Sequence, residues 1–265
     1  MKSMEWKKVK EEAEMWIKES GDILRSSLNN PLDVQAKSNP NDLVTQMDHE
    51  IEQFLTDKIK NYYPAHLVLG EEGRGDELTS TEGIIWIIDP IDGTTNFVHQ
   101  KYNFSISLGI FENGQERVGI IYNVMDDECF TAVNGEGAYL NDSPLQSLTK
   151  GNINESIVGL NARWLLKETS VEDGSLHRLV KDVRGIRSYG SAAIELAYVA
   201  AGRLDAYVSF RLSPWDYAGG AVILKEVGAL LTSFDGEELP LLGTSSLIAA
   251  RPGIHEDLIS YVSAQ

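Results

Sequence analysis

Four acidic residues of this 265-residue chain have the types and spacing that suit a metal centre: Glu71, Asp89, Asp92 and Asp216. Asp89 follows the apolar, β-branched run at 84–88, so we expect it at the end of a buried strand, where α/β proteins place their sites. Asp216 stands at the predicted start of a helix. Each residue alone also suits an ordinary turn, loop or helix cap, so only their combination predicts a site.

The loop after Asp89 also has residues that suit an anion. If Gly93 and Thr94 open a helix, free backbone N–H groups would face a phosphate beside the carboxylates. Carboxylates without histidine or cysteine ligands favour a hard cation such as Mg²⁺. Four carboxylates and a phosphate dianion carry about −6, and like charges about 4 Å apart repel by roughly 4 kcal/mol per pair at an effective dielectric near 20. About two to three divalent ions would offset most of that repulsion.

Other site types that use similar residues fit this sequence less well. An EF-hand needs a glutamate at its twelfth loop position, and counting from Asp89 that position holds Gln100. Phosphatases of the haloacid-dehalogenase type use Asp-x-Asp-Gly-Thr with a covalent nucleophile, whereas this chain has Asp-x-x-Asp-Gly-Thr. A covalent phosphatase of that type stays an alternative. The five histidines lack metalloprotease spacing, which indicates structural or surface roles.

Composition narrows the functional classes. The formal net charge of −17 disfavours general affinity for nucleic acid or anionic membrane. The single cysteine, Cys129, excludes an internal disulfide and a pair of thiolates for zinc. The N-terminal segment lacks the apolar core of a signal peptide, and no apolar run has the length of a membrane span. We therefore expect a cytoplasmic protein with a small molecule as its partner, and neither nucleic acid nor membrane.

Hydrophobic spacing predicts the elements that position these residues. Apolar residues at helical spacing predict an opening helix from about Trp6 to Leu28 and a second helix from near Asp48 to before Pro64. Strands are predicted at 84–88, 104–111, 117–125, 128–133, 156–160, 185–189, 205–210, 229–234 and 246–250, and later helices at 170–182, 191–201, 215–227 and 253–263. The order predicts a layered α/β (α+β) fold, with an antiparallel first sheet and helices followed by an alternating α/β second half.

Six segments, in order along the whole chain, resemble the inositol monophosphatase family. They are Asp42–Asp48, Gly70–Glu72, Asp89–Phe97, Gly135–Asn141, Arg187–Ala193, and Trp215–Gly220 continued to Gly228. The resemblance implies an αβαβα sandwich of the sugar phosphatase type, formed by one domain over 1–265 with lobes of about 1–150 and 151–265. It also implies a homodimer and inhibition by lithium.

The resemblance assigns a role to each candidate residue. Glu71, Asp89 and the Ile91 carbonyl would hold one Mg²⁺, while Asp89, Asp92 and Asp216 would hold a second, and a third, weaker ion would bind through Glu71. The catalytic residues would be Glu71, Thr94 and Asp48, with Thr94, backed by Asp48, positioning the attacking water. The implied contacts to phosphate or substrate are Asp92, Gly93, Thr94, Ala192, Ser209, Arg211, Asp216 and, on a loop near the entrance, Lys37.

One position departs from the family pattern and bears on the substrate. Inositol-selective members resemble one another in a glutamate seven residues before the aspartate of the second signature, and here that position is Ser209. Nearby Arg211 could reach a second phosphate if it faces the pocket. The expected reaction is hydrolysis of inositol-1-phosphate by metal-activated water, without a covalent phosphoenzyme. Fructose 1,6-bisphosphate, the 2′-phosphate of NADP and other sugar phosphates are alternative substrates, and a regulatory protein-binding role is an alternative of another class.

Overall fold

The computed structural model describes residues 3–37, 43–165 and 175–262. Its helices are α1 (Ser3–Ser27), α2 (Gln46–Tyr62), α3 (Thr94–His99), α4 (Ser175–Asp182), α5 (Ala192–Ala200), α6 (Pro214–Glu226) and α7 (Ile254–Val262). Its strands are β1 (Val34–Ala36), β2 (Leu43–Thr45), β3 (Leu67–Gly70), β4 (Ile84–Asp92), β5 (Ser105–Glu112), β6 (Gln115–Asn123), β7 (Glu128–Val133), β8 (Ala138–Leu140), β9 (Ser143–Pro144), β10 (Ile157–Leu160), β11 (Gly185–Arg187), β12 (Ala206–Leu212), β13 (Leu230–Thr232) and β14 (Ser245–Ala250).

A few predictions fall on residues outside the described part of the chain. They are Asp42 at the start of the first family segment, residues 170–174 of one predicted helix, and residue 263 of the last. Among the described helices, none combines the length and the apolar character that crossing a bilayer requires.

The helices and the two larger sheets stack in five layers. Helices α1 and α2 cover one face of a seven-stranded sheet, with Trp16, Ile51 and Trp86 in their shared core. Helices α5 and α6 lie between this sheet and a five-stranded one, where Leu196 of α5 packs in one cluster with Phe130 of β7 and with residues of β14. Helices α4 and α7 cover the far face of the second sheet. The predicted αβαβα sandwich is confirmed.

The two larger sheets differ in strand order and in strand direction. The first sheet has the order β3-β4-β5-β6-β7-β8-β9 and is antiparallel except that β3 runs parallel to β4. Sequence periodicity missed β3, because four residues are too few to show a period. The second sheet has the order β11-β10-β12-β14-β13, in which β10 is parallel to both of its neighbours. Strand β4 also runs further than predicted, to Asp92 instead of Asp89.

Two helices begin with the same capping arrangement, which places an aspartate in the first turn of each. Asp48 accepts hydrogen bonds from the Thr45 backbone N–H at 2.8 Å and from the Thr45 hydroxyl at 2.7 Å, so α2 begins two residues before the predicted Asp48. Asp216 accepts the Ser213 N–H at 2.7 Å, and Pro214 opens α6 without needing a donor partner. The carboxylates that cap these helices are two of the predicted site residues.

Helix α6 lies unusually close to the first sheet because small residues face each other there. Gly109 and Gly119 are paired across β5 and β6, and an added Cβ at Gly109 would come within 2.7 Å of Ala218. A Cβ at Gly119 would overlap the Gly219 carbonyl oxygen and approach the Val222 Cβ at 2.8 Å. Backbone therefore packs against backbone, and this contact fixes the distance of α6 from β5 and β6.

We expect Gly119→Ala to lower the free energy of unfolding by about 1–3 kcal/mol, because the new methyl group must push α6 away from the sheet. Urea unfolding measures this change. Gly185→Ala is the matched control, since its methyl group would meet only the guanidinium of Arg187, at 3.3 Å. The control should change stability by no more than about 0.5 kcal/mol. Equal stability of both variants would contradict the close packing.

Candidate active site

Asp89 and Asp92 lie on either side of an irregularity at the end of β4. Asp89 pairs with Ser107 and Asp92 with Ser105, so a three-residue step on β4 matches a two-residue step on β5. Such a bulge bends the strand and re-aims its side chains. Oxygen atoms of Asp89, Asp92 and Asp216 all lie within 4.8 Å of one another. Residues 127 positions apart in sequence, 89 and 216, thus share one cluster.

The carboxylates open into a cavity of about 180 Å³. Its walls are Leu43, Glu71, Asp89, Ile91, Asp92, Gly93, Thr94, Thr95, Gly190 and Asp216. A larger cavity of about 540 Å³ lies elsewhere, beside Phe111, Lys225 and Leu230. The described residues around that larger cavity form no comparable carboxylate cluster, and its Glu116 pairs with Lys225 at 3.0 Å. Chemistry, not size, therefore identifies the smaller cavity as the candidate site.

Three helices direct their N-terminal ends at these carboxylates. Asp92 accepts the backbone N–H groups of Ala192 at 3.2 Å and Ala193 at 2.7 Å, in the first turn of α5, and also the Ser191 hydroxyl. Asp48 and Asp216 occupy the first turns of α2 and α6. The partial positive charge at a helix N-terminus stabilises a nearby carboxylate by about 0.3–1 kcal/mol or more when partly buried. The fold thereby supports an otherwise repulsive cluster.

Glu71 joins the cluster from the end of β3. The parallel pairing of β3 with β4 places Gly70 opposite Ile88, so that Glu71 adjoins Asp89 on the wall of the same cavity, and its charge helps to raise the pKa of Asp89. Lys37 donates to Glu71 Oε1 at 2.8 Å and also binds Glu72. The structure therefore brings Lys37 to the cluster, as an ion-pair partner of a predicted metal ligand.

Burial and mutual repulsion disfavour ionised carboxylates here. Burial, followed by the charges of Glu71, Asp92 and Asp216, raises the pKa of Asp89 well above its usual range. Burial and then the charge of Asp92 likewise raise the pKa of Asp216. Burial also raises the pKa of Asp92 to about 6, against the lowering effect of its bonds to α5. An oxygen-only donor set with excess negative charge fits a hard divalent cation, which would reverse this repulsion.

Thr94 links the loop after Asp89 to Asp48. The Thr94 hydroxyl lies 3.1 Å from Asp48 Oδ1 and 3.0 Å from the Ile91 carbonyl oxygen, so its one proton is shared between these two acceptors. Asp48 is 1% exposed, and burial raises its pKa to about 6. Gly93 has φ of +93° and precedes α3, so the predicted helix opening after Gly93 is confirmed.

Several supporting residues escaped the sequence analysis. Asn96 of α3 donates to the carbonyl oxygens of Asn103 at 2.8 Å and Tyr189 at 2.7 Å, which holds the turn before α5 against α3. Glu195 of α5 accepts the Tyr189 N–H at 2.8 Å from the other side. Asn96 lies inside a segment that the family resemblance had marked, whereas no sequence signal distinguished Glu195 from an ordinary helix residue.

The predicted substrate contacts are only partly brought together. Ala192 is buried, with its N–H on Asp92. Ser209 is 3% exposed, while Arg211 is exposed. Neither Ser209 nor Arg211 is among the residues that line the carboxylate cavity. Their roles in binding substrate stay predictions.

Glu195 should make the stability of the folded protein depend on pH. Burial raises the pKa of Glu195 from 4.5 to about 7, although the Tyr189 and Gly190 N–H groups lower it. A raised carboxyl pKa means that the folded state binds the proton more tightly, so stability should fall as pH rises from about 4.5 to 7, by roughly 3 kcal/mol at most. Glu195→Gln cannot ionise and should lose this slope.

Urea unfolding of the chelator-treated proteins between pH 4.5 and 8 tests this prediction. The contributions of carboxylates that do not interact with Glu195 are common to both proteins and cancel in the difference, and Asp92, whose charge raises the Glu195 pKa, is the exception. A constant difference in stability between Glu195→Gln and the wild type over this range would show that Glu195 does not titrate as expected.

Comparison with known proteins agrees with this geometry. The model of the inositol monophosphatase family matches residues 5–265. Inositol-1-monophosphatase of Bacillus subtilis is 50% identical over 253 residues, covering 96% of each chain. A fructose-1,6-bisphosphatase/inositol-1-monophosphatase of Thermotoga maritima is 36% identical, covering 87% of this chain and 86% of that protein.

Solved structures give the same result. Inositol monophosphatase-II of Staphylococcus aureus superimposes with a TM-score of 0.86 at 42% identity, covering 95% of this chain and 94% of that one. Structures of SaIMPase-II, at 39% and 38% identity, contain inositol monophosphate and 2′AMP respectively. A match over almost the whole sequence, together with the shared fold, shows that the chain belongs to the inositol monophosphatase family.

Proposed function

We propose that the protein is a Mg²⁺-dependent phosphatase that hydrolyses a small phosphate monoester, with inositol-1-phosphate as its preferred substrate. The observation that carries this proposal is the cluster of Asp89, Asp92 and Asp216 oxygens within 4.8 Å, open to a cavity that Gly93 and Thr94 also line. Metal ligands and phosphate donors thus adjoin each other. Membership of the family replaces the alternative of a covalent phosphatase of the haloacid-dehalogenase type.

The proposed assignment of metal ligands is the one that the family resemblance implies. Glu71, Asp89 and the Ile91 carbonyl would hold one Mg²⁺, Asp89, Asp92 and Asp216 a second, and Glu71 a weaker third. When bound, such ions supply activation of water and stabilisation of the departing oxygen. Oxygen ligands alone, with no histidine or cysteine among them, support Mg²⁺ over a transition metal.

Thr94 and Asp48 would orient the attacking water. Asp48 Oδ1 accepts the Thr94 hydroxyl proton, which leaves a lone pair on Thr94 Oγ1 to accept a hydrogen bond from a water in the cavity. The Ile91 carbonyl oxygen, the competing acceptor for this hydroxyl, is itself one of the proposed Mg²⁺ ligands, so Asp48 would be the acceptor left to Thr94 when the metal is held. A burial-raised pKa of about 6 leaves Asp48 ionised at neutral pH, as this role needs.

Asp92→Asn tests the mechanism. The substitution removes a ligand charge, and it turns an amide group toward the N–H donors of Ala192 and Ala193, so we expect kcat to fall by at least about 10²-fold. Phosphate release at saturating Mg²⁺ measures the effect. Asp57→Asn, an exposed aspartate on α2, is the control and should keep full activity. Near-normal turnover by Asp92→Asn would refute the proposed ligand set.

The substrate preference rests on the charge of the cavity. Among the described residues that line it there is neither lysine nor arginine, and Lys37, which reaches Glu71, is already paired with Glu71 and Glu72, so a second phosphate would find no unpaired cation there and would meet like charge. A neutral polyol leaving group avoids that repulsion. The related proteins include an inositol-1-monophosphatase and a protein also named as a fructose-1,6-bisphosphatase, which keeps the broader class open.

A panel of substrates tests this preference, using phosphate release from inositol-1-phosphate, NADP, fructose 1,6-bisphosphate and 2′-AMP under one set of conditions. We expect the highest kcat/KM for inositol-1-phosphate, with measurable activity on the others because Ser209 replaces the family glutamate. Ser209→Ala should raise KM for inositol-1-phosphate if the hydroxyl contacts the polyol. A preference for NADP or the bisphosphate would reverse the ranking.

Other properties implied by the family resemblance stay predictions. They are the homodimer, inhibition by lithium, the cytoplasmic location, the number of bound ions and the division into two lobes near residue 150. A regulatory protein-binding role also stays an alternative. It would be favoured by a stable protein complex in a pull-down together with absence of Mg²⁺-dependent turnover.

A further inference from the structure

A buried carboxylate on α2 accepts hydrogen bonds from the backbone segment that follows Glu71. Glu52 is 0% exposed, and its two oxygens accept different backbone N–H groups: Oε2 accepts from Glu72 at 2.7 Å and Oε1 from Arg74 at 2.6 Å. These donors lie immediately after Glu71. The carboxylate therefore fixes the chain on the C-terminal side of the predicted metal ligand.

Gly70 lies on the other side of Glu71, and its lack of a side chain leaves room for the Glu52 carboxylate. An added Cβ at Gly70 would overlap the carboxyl group of Glu52. The backbone φ of Gly70 is not in the left-handed region, so conformational freedom does not explain the glycine. The absence of a side chain lets the Glu52 carboxylate approach the loop, and the two residues form one interlocking pair.

The arrangement is costly for Glu52 itself. In the part of the chain that the structure describes, neither lysine nor arginine pairs with it, and burial, together with the charges of Glu72 and Glu71, raises its pKa. An apolar residue would fill this position on α2 without that cost. In return, Glu52 makes two charge-assisted hydrogen bonds to the loop.

The rest of the loop has its own anchor. Asp76 accepts the Val68 N–H at 2.8 Å and pairs with Lys60 at 2.7 Å, which closes the loop back onto β3. The loop would therefore stay folded without Glu52. What Glu52 adds is control of the segment nearest Glu71, whose carboxylate adjoins Asp89.

We propose that Glu52 is a positioning residue for the metal centre, which holds the Glu71 carboxylate against Asp89 through the Glu72 and Arg74 N–H groups and the space left by Gly70. This inference rests on the proposed function, because it takes Glu71 as a metal ligand. Residues that orient metal ligands from behind typically change metal affinity by about 10- to 100-fold when they are replaced.

The test is direct binding of Mn²⁺ to the full-length, chelator-treated protein by titration calorimetry, without substrate. Glu52→Gln has one carbonyl oxygen and one amide donor, so it cannot accept both N–H groups. We expect Mn²⁺ affinity to fall by about 10-fold or more. Glu52→Asp keeps the charge but shortens the side chain, should show the same loss, and decides the question if Glu52→Gln does not fold.

The chain offers a matched control in Glu226. This carboxylate accepts the N–H groups of Gly135 and Gly137, both at 2.7 Å, and so grips another loop through alternate residues in the same way. That loop does not line the carboxylate cavity. Glu226→Gln should lower stability in urea and leave Mn²⁺ affinity within about 2-fold of wild type.

A double-mutant cycle tests the interlocking pair. Gly70→Ala in the wild type should displace the Glu52 carboxylate and weaken Mn²⁺ binding by about 10-fold. In a Glu52→Ala background the same methyl group enters vacated space and should change affinity by less than about 2-fold. Equal effects of Gly70→Ala in both backgrounds would overturn the coupling.

Glu71→Gln separates failure of this inference from failure of the proposed function. If Glu71→Gln binds Mn²⁺ weakly while Glu52→Gln and Glu52→Asp bind it as the wild type does, the positioning role is wrong and the ligand set stands. If Glu71→Gln binds Mn²⁺ as tightly as the wild type, the ligand assignment itself fails, and the inference fails with it.

Discussion

The mutual repulsion of buried carboxylates is the constraint around which this fold is organised. Asp89, Asp92 and Asp216 place oxygens within 4.8 Å of one another in surroundings that raise each pKa. Side chains free to move would separate. They stay together because each is attached to backbone N–H groups: Asp89 to that of Ile91, Asp92 to the first turn of α5, and Asp216 to the cap of α6. Much of the free-energy cost of bringing these carboxylates together is therefore offset when the protein folds.

This constraint extends into the packing of the core. Asp216 reaches the cluster only if α6 lies close to the first sheet, and the facing small residues at Gly109, Gly119 and Ala218 set that closeness. Asp92 depends on α5, which packs between the same sheet and the second one. Core packing and site geometry are therefore coupled here, because a displacement of either helix would also shift its contact with the cluster.

The sequence predicted the parts of the site that local pattern encodes. The loop from Asp89 to Thr94 follows a strongly apolar strand, and the layered fold follows from the order of elements. The supporting contacts could not be predicted from local pattern, because they join residues far apart in the sequence. The hydrogen bond from the Ala193 N–H to Asp92 spans 101 positions. Glu52 and Glu195 look like solvent-facing helix residues in the sequence, and only tertiary packing reveals that both are buried. Strand β3 was missed for a different reason, its brevity.

Glu52 and Glu226 make the same kind of contact with two different loops. Both carboxylates accept N–H groups from alternate residues of a loop, but only the loop held by Glu52 carries a group that faces Asp89. The hydrogen bonds are of the same kind in both places, and their consequence depends on which side chain the held backbone carries. Substrate choice follows a similar logic. In the proposed function the backbone-anchored carboxylates would determine the reaction, whereas Ser209, which does not line the cavity, would leave the identity of the alcohol less constrained than the chemistry.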